Sequence, residues 1–223
     1  MKTLALIARR PDRTRAGFRA HYEGVHAPLA VATLLEGTTR YVRHHLREEL
    51  FGRPTFDVVT AFWYRDVAAA LAVQRRLEGP PGEAILRDEL TFMDKPANTF
   101  FAVTEHPIAG AEDRDAPLRA LALVRAPAGD DAGRFVAGYE SEQIPRLLDA
   151  TEAPAWCLEN RALPMGEERP AFDAVTQLHA AADAGLADWA RALAATGARV
   201  VLATVSEHES ALPYEDAVSV KPA

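Results

Sequence analysis

At 223 residues the chain is long enough for one large domain or two small ones, each with its own core. Its 48% apolar and 26% charged residues are those of an ordinary globular protein, and a net charge of −7 argues against nucleic acid or an anionic membrane surface as partner. Cys157 is the only cysteine, which excludes an intrachain disulfide and a thiolate metal cage.

In chain order, Lys2–Ala8 is nearly continuous in apolar residues and reads as a buried strand, too short for a signal-peptide core. No run approaches the roughly 18 apolar residues of a membrane helix, so a cytoplasmic protein is expected. Thr14 is placed to cap a helix on which Phe18, Tyr22, Val25 and Leu29 follow at helical spacing. Pro28 disfavours helical geometry at Ala27, which predicts a break or kink at His26–Ala27 and a further turn of helix running to Leu35. Tyr41–Leu46 and Phe56–Tyr64 are rich in aromatic and β-branched residues and read as two strands joined by a hairpin at Gly52-Arg53-Pro54. Asp66 caps a second helix that Gly79 and Pro80 end, and Thr99–Glu105 is a fourth strand. His106–Pro117, acidic and broken by proline and glycine, reads as a linker.

Beyond it the same order begins again. Phe18, Tyr22 and Pro28 meet Phe135, Tyr139 and Pro145, and PTFDVVT from Pro54 meets PAFDAVT from Pro170. Asp131 replaces Thr14 as the cap, and Gly185–Ala195 is the second helix of the second copy. Each half therefore reads as βαββαβ, with residues 1–108 as the first repeat, 117–211 as the second and 212–223 as a tail. A four-stranded sheet with its helices on one face needs cover on the other. The expected fold is α+β, two tandem ferredoxin-like units forming an intramolecular pseudo-dimeric α/β barrel. Since the chain supplies its own partner, a monomer or a homodimer is compatible with folding.

Four of the seven histidines fall in the first 45 residues: His21, His26, His44 and His45. Imidazoles exchange protons near neutral pH, so the cluster is a candidate for acid–base work. The second copy keeps Tyr139 and Pro145 but has Gly138 for His21 and Gln143 for His26, so the histidines are the part that duplication does not explain. On a regular helix His21 and His26 lie about 140° apart, which disfavours a shared metal. There is no HExxH, glycine-rich phosphate loop or GxSxG elbow, and neither metal nor cofactor is expected. Along the second strand Tyr41, Arg43 and His45 share one face and Val42, His44 and Leu46 the other. Asp57, repeated as Asp173, is either a turn residue or the partner that orients His45 or His26. Trp63, Tyr64, Phe100 and Phe101 are candidates for an aromatic pocket wall.

The segments RRPDRTRAGFRAHYEGVHAPLA (from Arg9), RYVRHHL (from Arg40), FDVVTAFWY (from Phe56) and RDELTFMDKP (from Arg87) resemble the EthD family of dimeric α/β-barrel proteins. The resemblance covers nearly all of the first half and implies a hydrophobic cavity with a few acid–base side chains and often no cofactor. By resemblance His26 is the strongest site position, with His45 and Asp57 weaker. The combined expectation is a cofactor-independent enzyme acting on a small aromatic or polyketide-like molecule by cyclisation, dehydration, decarboxylation or isomerisation next to a carbonyl. His26, Tyr22, His45 and Asp57 would be catalytic, and His21, Tyr41, Trp63 and Arg43 would bind substrate. A cofactor-free monooxygenase of phenols or anthrones and a non-catalytic binding protein are the alternatives.

Overall fold

The computed structural model describes residues 1–33, 36–152, 156–164 and 169–212, so Leu35 and all but the first residue of the expected tail lie outside the described residues. The first repeat runs β1 (Lys2–Ile7), α1 (Arg15–His21), a π-helical turn (Tyr22–His26), α2 (Ala27–Thr33), β2 (Thr38–Phe51), β3 (Val58–Tyr64), α3 (Val67–Leu77), α4 (Pro80–Phe92), a 3₁₀ turn (Lys95–Ala97) and β4 (Thr99–Gly110). The second runs β5 (Leu118–Arg125), α5 (Ala132–Gly138), a second π-helical turn (Tyr139–Gln143), α6 (Ile144–Asp149), β6 (Thr151–Glu152), β7 (Trp156–Ala162), β8 (Ala174–Ala180), β9 (Ala182–Asp183), α7 (Leu186–Ala194) and β10 (Arg199–Glu209). The long strands form a closed antiparallel barrel in the order β1-β3-β2-β10-β5-β8-β7-β4, and β6 pairs with β9 apart from it. The fold is the α+β barrel of two tandem units that the repeat implies.

The caps are those the sequence indicates. Thr14 Oγ1 accepts from Gly17 N at 3.0 Å, Asp66 Oδ1 from Ala69 N at 2.7 Å and Asp131 Oδ1 from Arg134 N at 2.7 Å. The hairpin turns at Gly52, whose φ of 74° is left-handed and whose position against the backbone of Val200 leaves no room for a Cβ.

Three features differ from the sequence reading. The linker is shorter, because β4 runs on to Gly110. The chain also divides by contacts within strands rather than at a linker. One unit holds Met1–His45, Thr55–Phe100 and the chain from Glu207; the other holds Leu46–Pro54 and Phe101–Ser206. Most consequential, α3 does end ahead of Gly79 and Pro80, but Pro80 opens a further helix that the sequence reading lacks. Pro80 is the first residue of α4, where a missing N–H costs nothing. Gly82 allows the tight passage from α3, since a Cβ there would meet the Leu77 carbonyl. The second repeat has no counterpart of α4 among its described residues.

Within the first unit, Ala5, Ile7, Phe18, Tyr22, Val58, Ile85 and Phe92 form the buried cluster under the helices. Each large apolar side chain buried in it contributes about 1.5–3 kcal/mol. In the second unit the equivalent cluster holds Ala122, Val124, Tyr139, Ile144, Leu178, Trp189 and Leu202.

Candidate functional site

The site begins with the helix that Pro28 was expected to break or kink. It does not break: Ala27 is helical, with φ −63° and ψ −45°. The chain instead widens into a π-helical turn, with Ala27 N–H donating to Tyr22 O five residues back. A proline ring collides with the carbonyl four residues before it, and a wider turn displaces that carbonyl while the helix continues. The second repeat solves the same problem the same way, Ile144 N–H donating to Tyr139 O ahead of Pro145.

The π turn also overturns the angular argument about His21 and His26. Five residues are about one π turn, so the two imidazoles come to the same side and share one carboxylate. His21 Nε2 is 2.7 Å from Asp88 Oδ1, and His26 Nδ1 is 2.8 Å from Asp88 Oδ2. Asp88 is on α4, as is Phe92, whose ring centroid lies 4.5 Å from His21, 5.3 Å from His26 and 5.4 Å from Phe18. His26 is 5% exposed. Burial lowers its pKa, and the bond to Asp88 only partly opposes this, so the imidazole is neutral at pH 7.

A second node forms around Glu23. Arg43 Nη2 donates to Glu23 Oε2 at 2.6 Å, and His45 Nε2 lies 2.6 Å from Glu23 Oε1. His208 Nδ1 is 3.7 Å from Oε2, and its Nε2 is 2.6 Å from Arg19 Nη2. Burial alone would raise the Glu23 carboxyl, but the bonds from His45 and Arg43 outweigh it and hold its pKa at about 2. Arg43 also donates to Ser210 Oγ at 2.8 Å and lies over the Tyr41 ring at 4.4 Å.

Tyr22 stands between the nodes, edge-on to His26 at 5.0 Å and to His45 at 5.6 Å. Its hydroxyl pairs with Thr60 Oγ1 at 3.0 Å, and burial pushes its pKa up to about 12. Tyr41, raised by burial as well, stacks on Phe62 at 4.9 Å.

The structure thus brings His21, His26, Tyr22, Tyr41, Arg43 and His45 into one connected region and leaves two expected members outside it. Asp57 orients no imidazole. Its carboxylate accepts from Arg9 N (3.1 Å), Arg9 Nε (3.2 Å) and Arg15 Nε (3.1 Å), clamping the segment after β1. Asp173 does the same for Ala126 N (2.7 Å) and Arg169, so this carboxylate belongs to the repeated frame. Trp63 is on the strand face opposite Phe62, with Lys2 Nζ 4.1 Å and Arg40 Cζ 4.9 Å from its ring. Phe100 is exposed. His44 faces away from His45, its Nδ1 3.1 Å from Glu207 Oε1.

The residues that sequence reasoning missed are Asp88, Phe92, Glu23, Thr60 and His208. Asp88 and Phe92 had a signal: Ile85, Asp88 and Phe92 share a helical face in a segment already singled out as RDELTF. Among the described residues no group of three or more His, Cys, Asp or Glu is arranged to hold a metal ion. No helix among them is long and apolar enough to cross a membrane. Two cavities, of about 450 and 700 Å³, lie within the second unit, the smaller lined by second-repeat residues and the larger also by Thr104 and His106 of β4.

Residues 10–96 match the EthD domain family. No curated protein matches the chain in sequence. Among solved structures it is similar to an anthrone oxidase-like protein (TM-score 0.57, 10% identity, covering 93% of this chain and 92% of that one). It is also similar to an arginine-to-glutamate variant of chlorite dismutase from Candidatus Nitrospira defluvii (TM-score 0.50, 14% identity, 92% and 90% covered). At these identities the likeness is one of fold.

Proposed function

Residues 10–96 of this chain match the EthD domain family, and from that match and the site's geometry we propose a cofactor-independent acid–base enzyme acting on a small hydrophobic, aromatic or polyketide-like molecule. The observation that carries the reading is the His26–Asp88 pair. With Nδ1 donating to Asp88 at 2.8 Å and burial keeping the ring neutral, Nε2 holds the lone pair of a general base. In the proposed step the C–H bond next to a carbonyl breaks, the proton goes to His26 Nε2, and the electron pair moves onto the carbonyl oxygen as an enolate. The Asp88 carboxylate, hydrogen-bonded to the ring, stabilises the imidazolium that results. Tyr22 and Tyr41 stay protonated and are the neutral donors available to the enolate oxygen. His45, held by Glu23, is the group that returns a proton for dehydration or isomerisation. Because Phe92 stands against His21, Tyr22 and His26, substrate reaches Nε2 by displacing that ring.

A cofactor-free oxygenation begins with the same proton transfer. The aromatic side chains beside His26 favour a phenol or anthrone as the acid in that case, with dioxygen as co-reactant. Incubation with a panel of anthrones and linear aromatic polyketides, with oxygen uptake recorded, separates the two. His26→Ala is expected to reduce turnover ~10²–10⁴-fold in either. Unchanged turnover overturns the assignment, and an effect on binding alone indicates a non-catalytic binding protein.

A further inference from the structure

The cavity of about 700 Å³ lies within the second unit and is walled on one side by Ala132, Gly133, Val136 and Ala137 of α5. At the repeat offset of 117, the first-repeat counterparts of Ala132 and Val136 are Arg15 and Arg19. Those two guanidiniums are used there: Arg15 Nε reaches Asp57 at 3.1 Å and Arg19 Nη2 reaches His208 at 2.6 Å. In the second unit the matching acceptors, Asp173 and His106 of β4, are still present and both line the cavity. The two long side chains that would have filled the space between them are replaced by a methyl and an isopropyl group.

What lines the void is mostly apolar on α5 and at Leu163, Pro164 and Pro170, with donors from β4 (His106), β7 (Arg161) and the loop before β8 (Arg169). Arg161 and Arg169 bring guanidiniums, and His106 pairs with Thr104 Oγ1 at 3.1 Å. Among the described residues the one carboxylate in the lining is Asp173, both of whose oxygens are already occupied by Ala126 N and Arg169. Arg161 is held from behind by Glu140 and by the fully buried Glu159, whose Oε1 has no hydrogen-bond partner. A cavity of this size with apolar walls and convergent donors at one end has the form of a small-molecule site.

We propose that the second unit binds a flat, largely apolar small molecule in this cavity, its anionic oxygen end, a carboxylate or phenolate, against Arg161, Arg169 and His106. The site is separate from the His26 region and does not rest on the reading of that region. Restoring the missing arginines closes it. Val136→Arg would reach His106 as Arg19 reaches His208, and Ala132→Arg would reach Asp173 as Arg15 reaches Asp57.

The test uses three bicyclic probes of the same shape, 2-naphthoate, 2-naphthylmethanol and 2-naphthylmethylammonium, titrated calorimetrically into the full chain. One naphthoate per chain is expected, at least tenfold tighter than the alcohol and with the ammonium weakest. Val136→Arg is expected to abolish binding, with Ala132→Arg as the second variant should circular dichroism show the first misfolded, while His26→Ala leaves binding unchanged. Equal affinity for the three probes, or tighter binding of the ammonium, overturns the anionic-ligand assignment. Undiminished binding in a folded cavity-filling variant, or loss of binding in His26→Ala, overturns the location.

Discussion

The two repeats share a frame and differ in what they mount on it. Both widen into a π turn ahead of a proline, both pair a buried tyrosine with a strand threonine (Tyr22–Thr60 at 3.0 Å, Tyr139–Thr176 at 2.8 Å), and both clamp the segment after the first strand with an aspartate. The first then adds His21, His26, His45 and, through α4, Asp88 and Phe92; the second has Gly138 and Gln143 at the first two positions, and two open cavities lie within the second unit. The smaller cavity is lined by Phe135, Gly138, Tyr139 and Gln143, the counterparts of the residues over which α4 lies in the first repeat. Duplication therefore separates two kinds of buried polar group. Those present twice hold the fold, and those present once are where chemistry is to be sought.

The sharpest way to break that division is to mutate both members of a pair. His26→Ala should cost ~10²–10⁴-fold in turnover, while Gln143→Ala leaves turnover unchanged. Phe92→Ala removes the ring that packs on Phe18, His21, Tyr22 and His26, and urea denaturation should show a loss of about 3–5 kcal/mol. Asp57→Asn and Asp173→Asn should each cost about 1–3 kcal/mol by the same measurement, with neither selectively affecting turnover, because each carboxylate satisfies a backbone N–H and an arginine. A large turnover loss in a stably folded Asp57→Asn would restore that residue to the site.

Smaller effects follow from protonation. His26, His44 and His208 all have pKa values lowered below the ordinary 6.5, burial being the chief cause. The unfolded chain therefore binds their protons more readily, and stability should fall as pH is lowered through and below 6.5. Denaturation midpoints at pH 7.5 and 5.5 should show this slope, and His26→Gln should reduce it. Turnover that uses neutral His26 should keep its alkaline plateau down to a pH below 6.5. Smallest of all, Tyr139→Phe should cost about 0.5–1.5 kcal/mol, and Tyr22→Phe somewhat more, since the Tyr139 hydroxyl meets Thr176 while that of Tyr22 meets both Thr60 and Tyr41.

Much of this was legible in the chain. Alternation along RYVRHHL puts Tyr41, Arg43 and His45 together and His44 opposite, and the structure does so. The caps at Thr14, Asp66 and Asp131 needed only their local sequence. Two of the misreadings turn on proline. Gly79-Pro80-Pro81-Gly82 both follows the end of α3 and starts α4, where proline's missing N–H is no loss, and reading it only as an end hid α4 and with it Asp88 and Phe92. Pro28 was read as a break or kink where a five-residue turn absorbs it, and that turn is what aligns His21 with His26. Asp57 was misassigned to the imidazoles because alternation gives the face of a side chain but not which arginine of a neighbouring loop reaches it.

The central claim is that His26 is a neutral base whose proton sits on Nδ1, toward Asp88. Long-range ¹H–¹⁵N correlation spectra of the imidazoles at pH 7, assigned with His26→Gln, measure this directly. The account predicts a neutral His26 ring protonated at Nδ1, titrating below pH 6.5, with the tautomer preference lost in Asp88→Asn. An imidazolium at pH 7, or a ring protonated at Nε2, would contradict it.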